Sequence, residues 1–211
     1  MKNKKLKTML LSLGLVGTIG VGATLAYFSD GGSVKNTFSF AKGAELTLDE
    51  AYVDPDTHIA DKGVGRVYSN KYNQIQPGEL LPKDPTVHLT SDVDVYLYVA
   101  IKNENEANLN FTVTDGNDDN KNWEKVDVPS VNGEYKLYRY NNGGMYNISS
   151  PDEPLNIPVF DTVQVSDDLN EYAGNADIEV AAVAVQYKGF EDDEQGARNL
   201  AIEKLNDLLL K

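Results

Sequence analysis

An alternating run of apolar residues in the middle of the chain constrains the fold more than any other feature. Every second residue of 93–101 is aliphatic, and Tyr96 and Tyr98 lie between them. Because strand side chains alternate between two faces, this run predicts a strand with one apolar and one half-covered face. A second run, 178–187, loses its alternation near Ala181 and Ala182, which predicts either a bulge or a strand buried on both faces.

Shorter strand patterns separated by turn residues surround these two runs. The predicted strands are 45–53, 86–90, 109–114, 135–140 and 157–165. Glycine, asparagine and proline mark turns between them, and the proline-containing stretch 54–85 is predicted to be a long irregular excursion. Many short strands joined in this way predict an all-β fold, a jelly-roll-like β-sandwich.

Two helices are predicted near the end of the chain. Residues 167–173 begin with acids and stop before Gly174, which predicts a short helix. Residues 191–210 place small and apolar residues three and four positions apart, which predicts a longer amphipathic helix. Its apolar stripe is expected to pack on the chain's own domain, and the alternative is a partner-binding face.

The amino terminus has the pattern of a secretion signal. Four lysines precede an apolar, glycine-containing run that ends at Ala26 with small residues at 24 and 26. This order predicts a signal peptide over 1–26 that is cleaved between Ala26 and Tyr27. The alternative is an uncleaved membrane anchor, because the run is at the lower limit for crossing a bilayer.

Charge and cysteine content narrow the classes of function. Removal of the four lysines of 1–26 changes the formal net charge from −14 to −18. Such an acidic chain is a poor partner for nucleic acid, whose phosphates need lysine and arginine. The chain contains no cysteine, which excludes disulfides, thiolate nucleophiles and cysteine-ligated zinc.

Candidate metal ligands are few, and no cofactor is expected. The two histidines, His58 and His88, are far apart in sequence and show no helical zinc-protease motif. Zinc bound by both histidines and a carboxylate is the weaker alternative. The turn at 115–120 offers oxygen ligands for calcium, but its glycine comes too early for a calcium loop. A solvated hairpin tip is the favoured interpretation.

Four tyrosines are close together in sequence around the Asn-Gly-Gly turn: Tyr135, Tyr138, Tyr140 and Tyr146. Aromatic patches on β surfaces bind sugars, which makes a ligand-binding surface module one alternative function. Tyrosines also fill sandwich cores, and the alternation places Tyr138 and Tyr140 on one face and Tyr135 on the other. The structural role is favoured.

Several segments together resemble the TasA/camelysin family. The junction 22–30, Gly-Ala-Thr-Leu-Ala-Tyr-Phe-Ser-Asp, is similar to that of exported proteins handled by the signal peptidase SipW. This junction is the most specific part of a resemblance that covers most of the chain. The other matching segments are 36–38, Gly43, 46–48, 76–79, 158–160, 167–174, 183–186 and 189–190.

The resemblance implies a secreted structural protein of the biofilm matrix or cell surface. It implies a signal peptide 1–26, an amino-terminal segment 27–44 and a jelly-roll domain 45–211. The best-known members of this family assemble into fibres in which the amino-terminal segment is donated as a strand to the next subunit, which makes Val34, Phe38 and Phe40 the candidate donor residues here. The expected partners are further copies of the chain, SipW and an accessory matrix protein.

Two alternatives accompany the donor-strand expectation. The amino-terminal segment pairs within its own subunit in one of them. In the other, the chain is a cell-surface metallopeptidase, because camelysin and some relatives have been classed as such. No recognisable ligand set in this sequence carries that activity over.

Overall fold

The computed structural model describes residues 29–33, 36–38, 43–113, 122–128, 131, 133–141, 147–168 and 175–209. The predicted signal peptide, the turn at 115–120 and most of the short helix predicted at 167–173 lie outside these residues. The elements of the described part are β1(Ser29–Ser33), β2(Asn36–Phe38), β3(Ala44–Ala51), β4(Arg66–Val67), β5(Leu80–Pro82), β6(Thr86–Asn103), β7(Leu109–Asn110), β8(Trp123–Lys125), β9(Lys136–Tyr140), β10(Asn147–Pro158), β11(Thr162–Val165), β12(Ile178–Gln186) and α1(Glu194–Leu209).

Strand β6, with 18 residues, organises the larger sheet. Its first half pairs with β3 and β10, and its second half pairs with β12 and β9. The sequence predicted two strands here, 86–90 and 93–101, but the strand is continuous. At the join, the buried Ser91 hydroxyl lies 2.8 Å from Gly43 O and 2.6 Å from Val93 O. These contacts satisfy a polar residue within a long strand.

Two sheets contribute to the main core. The larger sheet has the strand order β2-β1-β12-β6-β3-β4, with β9 and β10 also paired to β6, and the smaller one has the order β5-β11-β7. Leu46 and Val99 of the larger sheet and Val163 of the smaller sheet belong to one buried cluster. The inward residues of 93–101 lie in this cluster, as their alternation predicted.

A second core lies on the other face of β6 and β12. Tyr96 and Tyr98, predicted to be half covered, are buried at 4% and 1% exposure. They share a cluster with Ala197, Ala201 and Leu205 of α1. The prediction of half coverage was wrong because the cover comes from a helix about a hundred residues further along the chain.

The second core also explains β12. Its register with β6 runs without a shift from Ile178 to Gln186, and its residues from Val180 onwards are buried on both faces. Of the two interpretations of the broken alternation, the doubly buried strand is therefore confirmed. Helix α1 packs on its own domain, as expected, and starts at Glu194 because the Asp193 carboxylate caps the Gly196 N–H at 2.8 Å.

Two further predictions differ from the structure in detail. The stretch 157–165 contains the end of β10 and all of β11, because the chain changes sheets at the buried Val159 and Phe160. Residues 54–85 are largely irregular, as predicted, apart from the short strands β4 and β5. No helix in the described part of the chain is long and apolar enough to cross a membrane.

The structure confirms an all-β fold with a carboxy-terminal helix. Its jelly-roll connectivity and the proposed domain limits at 26 and 44 stay predictions.

Candidate functional site

The amino-terminal segment lies at the edge of β12 in its own chain. Strand β1 pairs antiparallel with β12, from Ser29 opposite Val185 to Ser33 opposite Ala181. Strand β2 turns back on β1 and places Phe38 opposite Gly31. The order β2-β1-β12-β6 therefore makes this segment the outer margin of the larger sheet.

The composition of β1 is unusual for a strand that covers a buried neighbour. Its five residues, Ser-Asp-Gly-Gly-Ser, include two glycines and no apolar residue. Glycine, serine and aspartate have low strand propensity, and glycine loses the most backbone entropy on ordering. The pairing of β1 with β12 uses main-chain hydrogen bonds, which do not depend on the side chains.

Strand β12, in contrast, is an apolar strand with both faces buried. Val180, Ala182 and Ala184 lie in the main core, and the alternate Val183 and Val185 lie in the core beneath α1. Its amide and carbonyl groups at this edge need partners, since buried unpaired backbone groups are costly. Any strand that pairs here completes a buried strand.

Helix α1 lies against both β12 and β1. Its first turn is fixed to the sheet by Arg139 of β9, a residue with 6% exposure. The Arg139 guanidinium forms ion pairs with Glu194 of α1 and with Glu124 of β8, the second at 2.9 Å. Helix α1 therefore lies beside the β12 edge that pairs with β1, and Arg139 links this helix to β9 and β8.

The predicted site residues are only partly covered by the described residues. Ala26, Tyr27, Val34 and Phe40 lie outside them, and Phe38 is the last residue of β2. The cleavage site and the donor residues therefore stay predictions.

His58 lies in a network within the 54–85 excursion. Its side chain is 8% exposed, with Nδ1 2.5 Å from Glu79 Oε1 and Nε2 2.8 Å from the Asn73 carbonyl oxygen. Both ring nitrogens thus face acceptors, which is satisfied only by the doubly protonated imidazolium. The Glu79 hydrogen bond raises the pKa of His58, and the Gln76 N–H and then His58 lower the pKa of Glu79.

His88 belongs to a different network on the outer face of β3, β6 and β10. Its Nε2 lies 2.9 Å from Asp49 Oδ1, and its Nδ1 lies 2.5 Å from Asn156 Oδ1. Arg66 joins Asp49 to Asp84. The two histidines are thus engaged separately, and the described residues contain no group of three or more ligands suited to a metal ion.

The tyrosines near the predicted turn fill the two cores. Tyr140 packs edge-on against Trp123 in the main core, where Tyr138 is partly buried. Tyr135 is buried on the other face, and its hydroxyl donates to Glu179 at 2.6 Å. Tyr146 lies outside the described residues. The alternation thus predicted the faces of the three described tyrosines.

Sequence reasoning missed a buried ion pair beside the excursion. Glu50 of β3 is 1% exposed and accepts from Lys83 Nζ at 2.7 Å. A signal was present, since Glu50 continues the inward alternation of Leu46 and Leu48.

The comparisons with known proteins found no match: no protein-family model, no curated protein and no solved structure matches this chain.

Proposed function

We propose that this chain is an exported structural protein of the cell surface or biofilm matrix whose copies assemble into fibres. Each copy donates its amino-terminal segment to the β12 edge of the next. A signal peptidase of the SipW kind cleaves between Ala26 and Tyr27, and an accessory matrix protein starts growth. The lysine-rich, apolar beginning of the chain supports export.

One observation carries the proposal: a strand without apolar residues occupies the edge of a doubly buried strand. Main-chain pairing of this kind is interchangeable between identical chains, because a second copy presents the same backbone groups. Exchange of β1 between copies keeps every hydrogen bond and links the chains. The protein then has two states. In one, β1 pairs with β12 of its own chain, and in the other, exchanged β1 strands link successive copies.

Disulfide trapping distinguishes these two states. Because the chain contains no cysteine, every disulfide must join cysteines that were introduced. Ser29 and Val185 are opposite each other in the register and both tolerate a cysteine of similar size. We would purify the Ser29→Cys and Val185→Cys variants separately, each as a chain that begins at Tyr27. The two variants would then be mixed under assembly conditions and the mixture oxidised. Donation between copies predicts a disulfide that joins two chains.

Each outcome has a clear meaning. A disulfide between the two variants supports donation, and its absence in filaments that do form contradicts it. The double variant Ser29→Cys/Val185→Cys, oxidised as a dilute monomer, locks β1 in its own chain and should stop filament growth until a reductant is added. The matched control is Ser149→Cys mixed with Val185→Cys, because Ser149 lies on β10, away from this edge.

Imaging tests the fibre role directly. Negative-stain electron microscopy of the chain from Tyr27 should show filaments as concentration rises and pH falls, because protonation relieves repulsion among the surplus carboxylates. Deletion of residues 27–41 should leave a folded monomer that does not polymerise. Filament growth by this deletion variant would refute the donation mechanism.

A further inference from the structure

A groove lies at one end of the main core, between the larger and the smaller sheet. Its volume is about 150 Å³. Ile101, Lys136 and Tyr138 of the larger sheet line one side of it. Leu109 of β7 and the nearby Phe111 line the other side. The fibre function proposed above makes no use of this groove.

The register of β6 and β9 places one face of the larger sheet along the groove. Val99 is opposite Tyr138 and Ile101 is opposite Lys136, and opposed residues of an antiparallel pair share a face. Asn103 follows two residues after Ile101 and is therefore on the same face. Because Val99 and Ile101 belong to the main core, the groove continues the core surface to the end of the sheet, where polar residues join the apolar ones.

Two aromatic rings give the groove an apolar wall. Phe111 stacks on the buried Phe160, with ring centroids 4.3 Å apart and an angle of 21° between the ring planes. This stacking fixes the position of the Phe111 ring. Phe111 and Tyr138 both pack against the main core and are only partly buried. The two rings therefore offer a fixed aromatic surface to a ligand in the groove.

The uncharged polar groups of the groove are of two kinds. The Asn103 amide is engaged, since its Nδ2 donates to Leu109 O at 2.7 Å and its Oδ1 accepts from the Asn105 N–H at 3.0 Å. The Tyr138 hydroxyl and the Asn110 side-chain amide, in contrast, have no hydrogen-bond partner among the described residues. A ligand that carries hydroxyl groups would supply partners to both.

The lining of the groove has no net charge, although the chain as a whole carries −14. Its two charged residues form an ion pair, with Lys136 Nζ 2.5 Å from Glu106 Oε1. An anionic ligand would have to compete with Glu106 for the lysine, and a cationic ligand would have to compete with Lys136 for the carboxylate. The charge balance therefore favours a neutral ligand.

We infer that this groove binds one ring of a neutral carbohydrate. A pyranose ring has an apolar face of C–H groups, which fits the aromatic wall, and an edge of hydroxyl groups, which fits Asn110 and the Tyr138 hydroxyl. The volume suits one six-membered ring, since an engineered cavity of about 150 Å³ holds benzene. A purely apolar ring would leave both polar groups without partners. The inference does not depend on fibre formation.

Nuclear magnetic resonance titration of the protein in dilute solution tests the site. The probes are the methyl pyranosides of glucose, galactose, mannose and N-acetylglucosamine, at concentrations up to about 50 mM because a single ring binds weakly. At least one of them should shift the amide signals of 109–111 and 136–138 saturably. The signals of Leu46–Leu48, which lie in β3, should stay unchanged. Inorganic phosphate and benzene are the comparison probes.

Two variants remove single hydrogen-bonding groups. Tyr138→Phe removes the hydroxyl and keeps the aromatic ring, and Asn110→Ala removes the exposed amide. Each should weaken pyranoside binding about threefold to tenfold, which corresponds to the loss of one hydrogen bond. The matched control is Tyr68→Phe, because Tyr68 is 52% exposed and lies outside the groove. This control should bind the pyranoside as wild type does.

Three results would overturn the inference. The first is that none of the four pyranosides gives a saturable shift at the groove. The second is that phosphate or benzene binds there more tightly than every pyranoside. The third is that Tyr138→Phe and Asn110→Ala bind as well as Tyr68→Phe. Because the titration uses dilute protein, failure to form filaments would refute the proposed fibre function and leave the result at the groove unaffected.

Discussion

The imidazole Nδ1 of His58 lies 2.5 Å from Oε1 of Glu79, and this hydrogen bond raises the pKa of His58. His58 has a left-handed backbone, at φ 55°, and its ring lies 5.9 Å from that of Tyr72. The charged groups that face it are Glu79 and, more distantly, Asp54. This pair joins the beginning of the 54–85 excursion to the start of β5.

The first prediction concerns the pH dependence of this pair. The raised pKa of His58 means that its contribution to stability is complete below pH 6.5 and is lost as pH rises through the folded value. The lowered pKa of Glu79 means that its contribution is complete above pH 4.5 and is lost as pH falls through the folded value. The pair therefore stabilises the fold most between these two limits.

Urea unfolding at several pH values between 5 and 9 measures this effect. Wild type should lose stability as the pH rises from 6 to 9, and His58→Gln should lose less over the same interval. His88→Gln is the matched control, since it removes the other histidine. If the alkaline loss disappears in His88→Gln and persists in His58→Gln, the assignment to His58 is wrong.

The second prediction concerns the buried pair of Glu50 and Lys83. Lys83→Met removes the cation that contacts Oε2 of Glu50 and leaves a carboxylate with 1% exposure, whose Oε1 also has no hydrogen-bond partner among the described residues. The expected loss in the free energy of unfolding is about 3–5 kcal/mol. The double variant Lys83→Met/Glu50→Leu should recover most of it.

Lys102 provides the control for this second prediction. It pairs with Glu104 and Glu134 at the surface, where the Glu134 side chain is 58% exposed. Lys102→Met should cost at most about 1 kcal/mol, because exposed ion pairs contribute little. Denaturant unfolding of the four proteins gives the comparison, and equal losses in the two single variants would contradict it.

The third prediction concerns the packing of α1. Leu205→Ala leaves a cavity in the core beneath the helix and should cost about 2–5 kcal/mol. Leu208 is on the same helix but only partly buried, so Leu208→Ala should cost less. Thermal unfolding followed by tyrosine absorbance measures both. A larger loss from Leu208→Ala would contradict the position of the helix.

The fourth prediction compares two glycines with the same backbone angle. Gly78 and Gly133 both have φ 76°, where a side chain is strained by about 1–2 kcal/mol. A Cβ at Gly78 would lie 2.5 Å from Asp167 Oδ1, whereas one at Gly133 meets nothing within 4 Å. Gly78→Ala should therefore destabilise more than Gly133→Ala.

A double variant isolates the steric part of this difference. Asp167→Ala removes the side chain that the new Cβ would meet, so Gly78→Ala should cost less in that background. An unchanged cost would mean that the strain of the left-handed backbone accounts for the whole effect.

The sequence correctly predicted the structural features that depend on residues close together in the chain. The alternation of 93–101 placed its side chains on the correct faces, and the spacing in 191–210 predicted the buried stripe of α1. It did not reveal that this stripe buries Tyr96 and Tyr98, because the two surfaces meet only after the chain has folded. The burial of a tyrosine depends on the element above it.

The candidate site was harder to predict for the same reason. The partner of β1 is β12, at the other end of the domain, and nothing in Ser-Asp-Gly-Gly-Ser specifies it. His58 and Glu79 are separated by a largely irregular segment without a repeating residue pattern, so the sequence does not indicate that they lie together. Only Glu50 left a local signal, as a carboxylate in an inward strand position.

The pairing of β1 with β12 also sets an order of events during synthesis. Among the described strands, β1 is synthesised first and its partner β12 last, with β6 and most other strands between them. Because pairs far apart in the sequence form slowly, we expect β1 to be the last strand of the larger sheet to pair. A newly made chain is then expected to pass through a stage in which the β12 edge is not yet paired with β1. If copies exchange β1 as proposed above, the concentration of neighbouring chains at that stage sets the balance between closure within one chain and joining another.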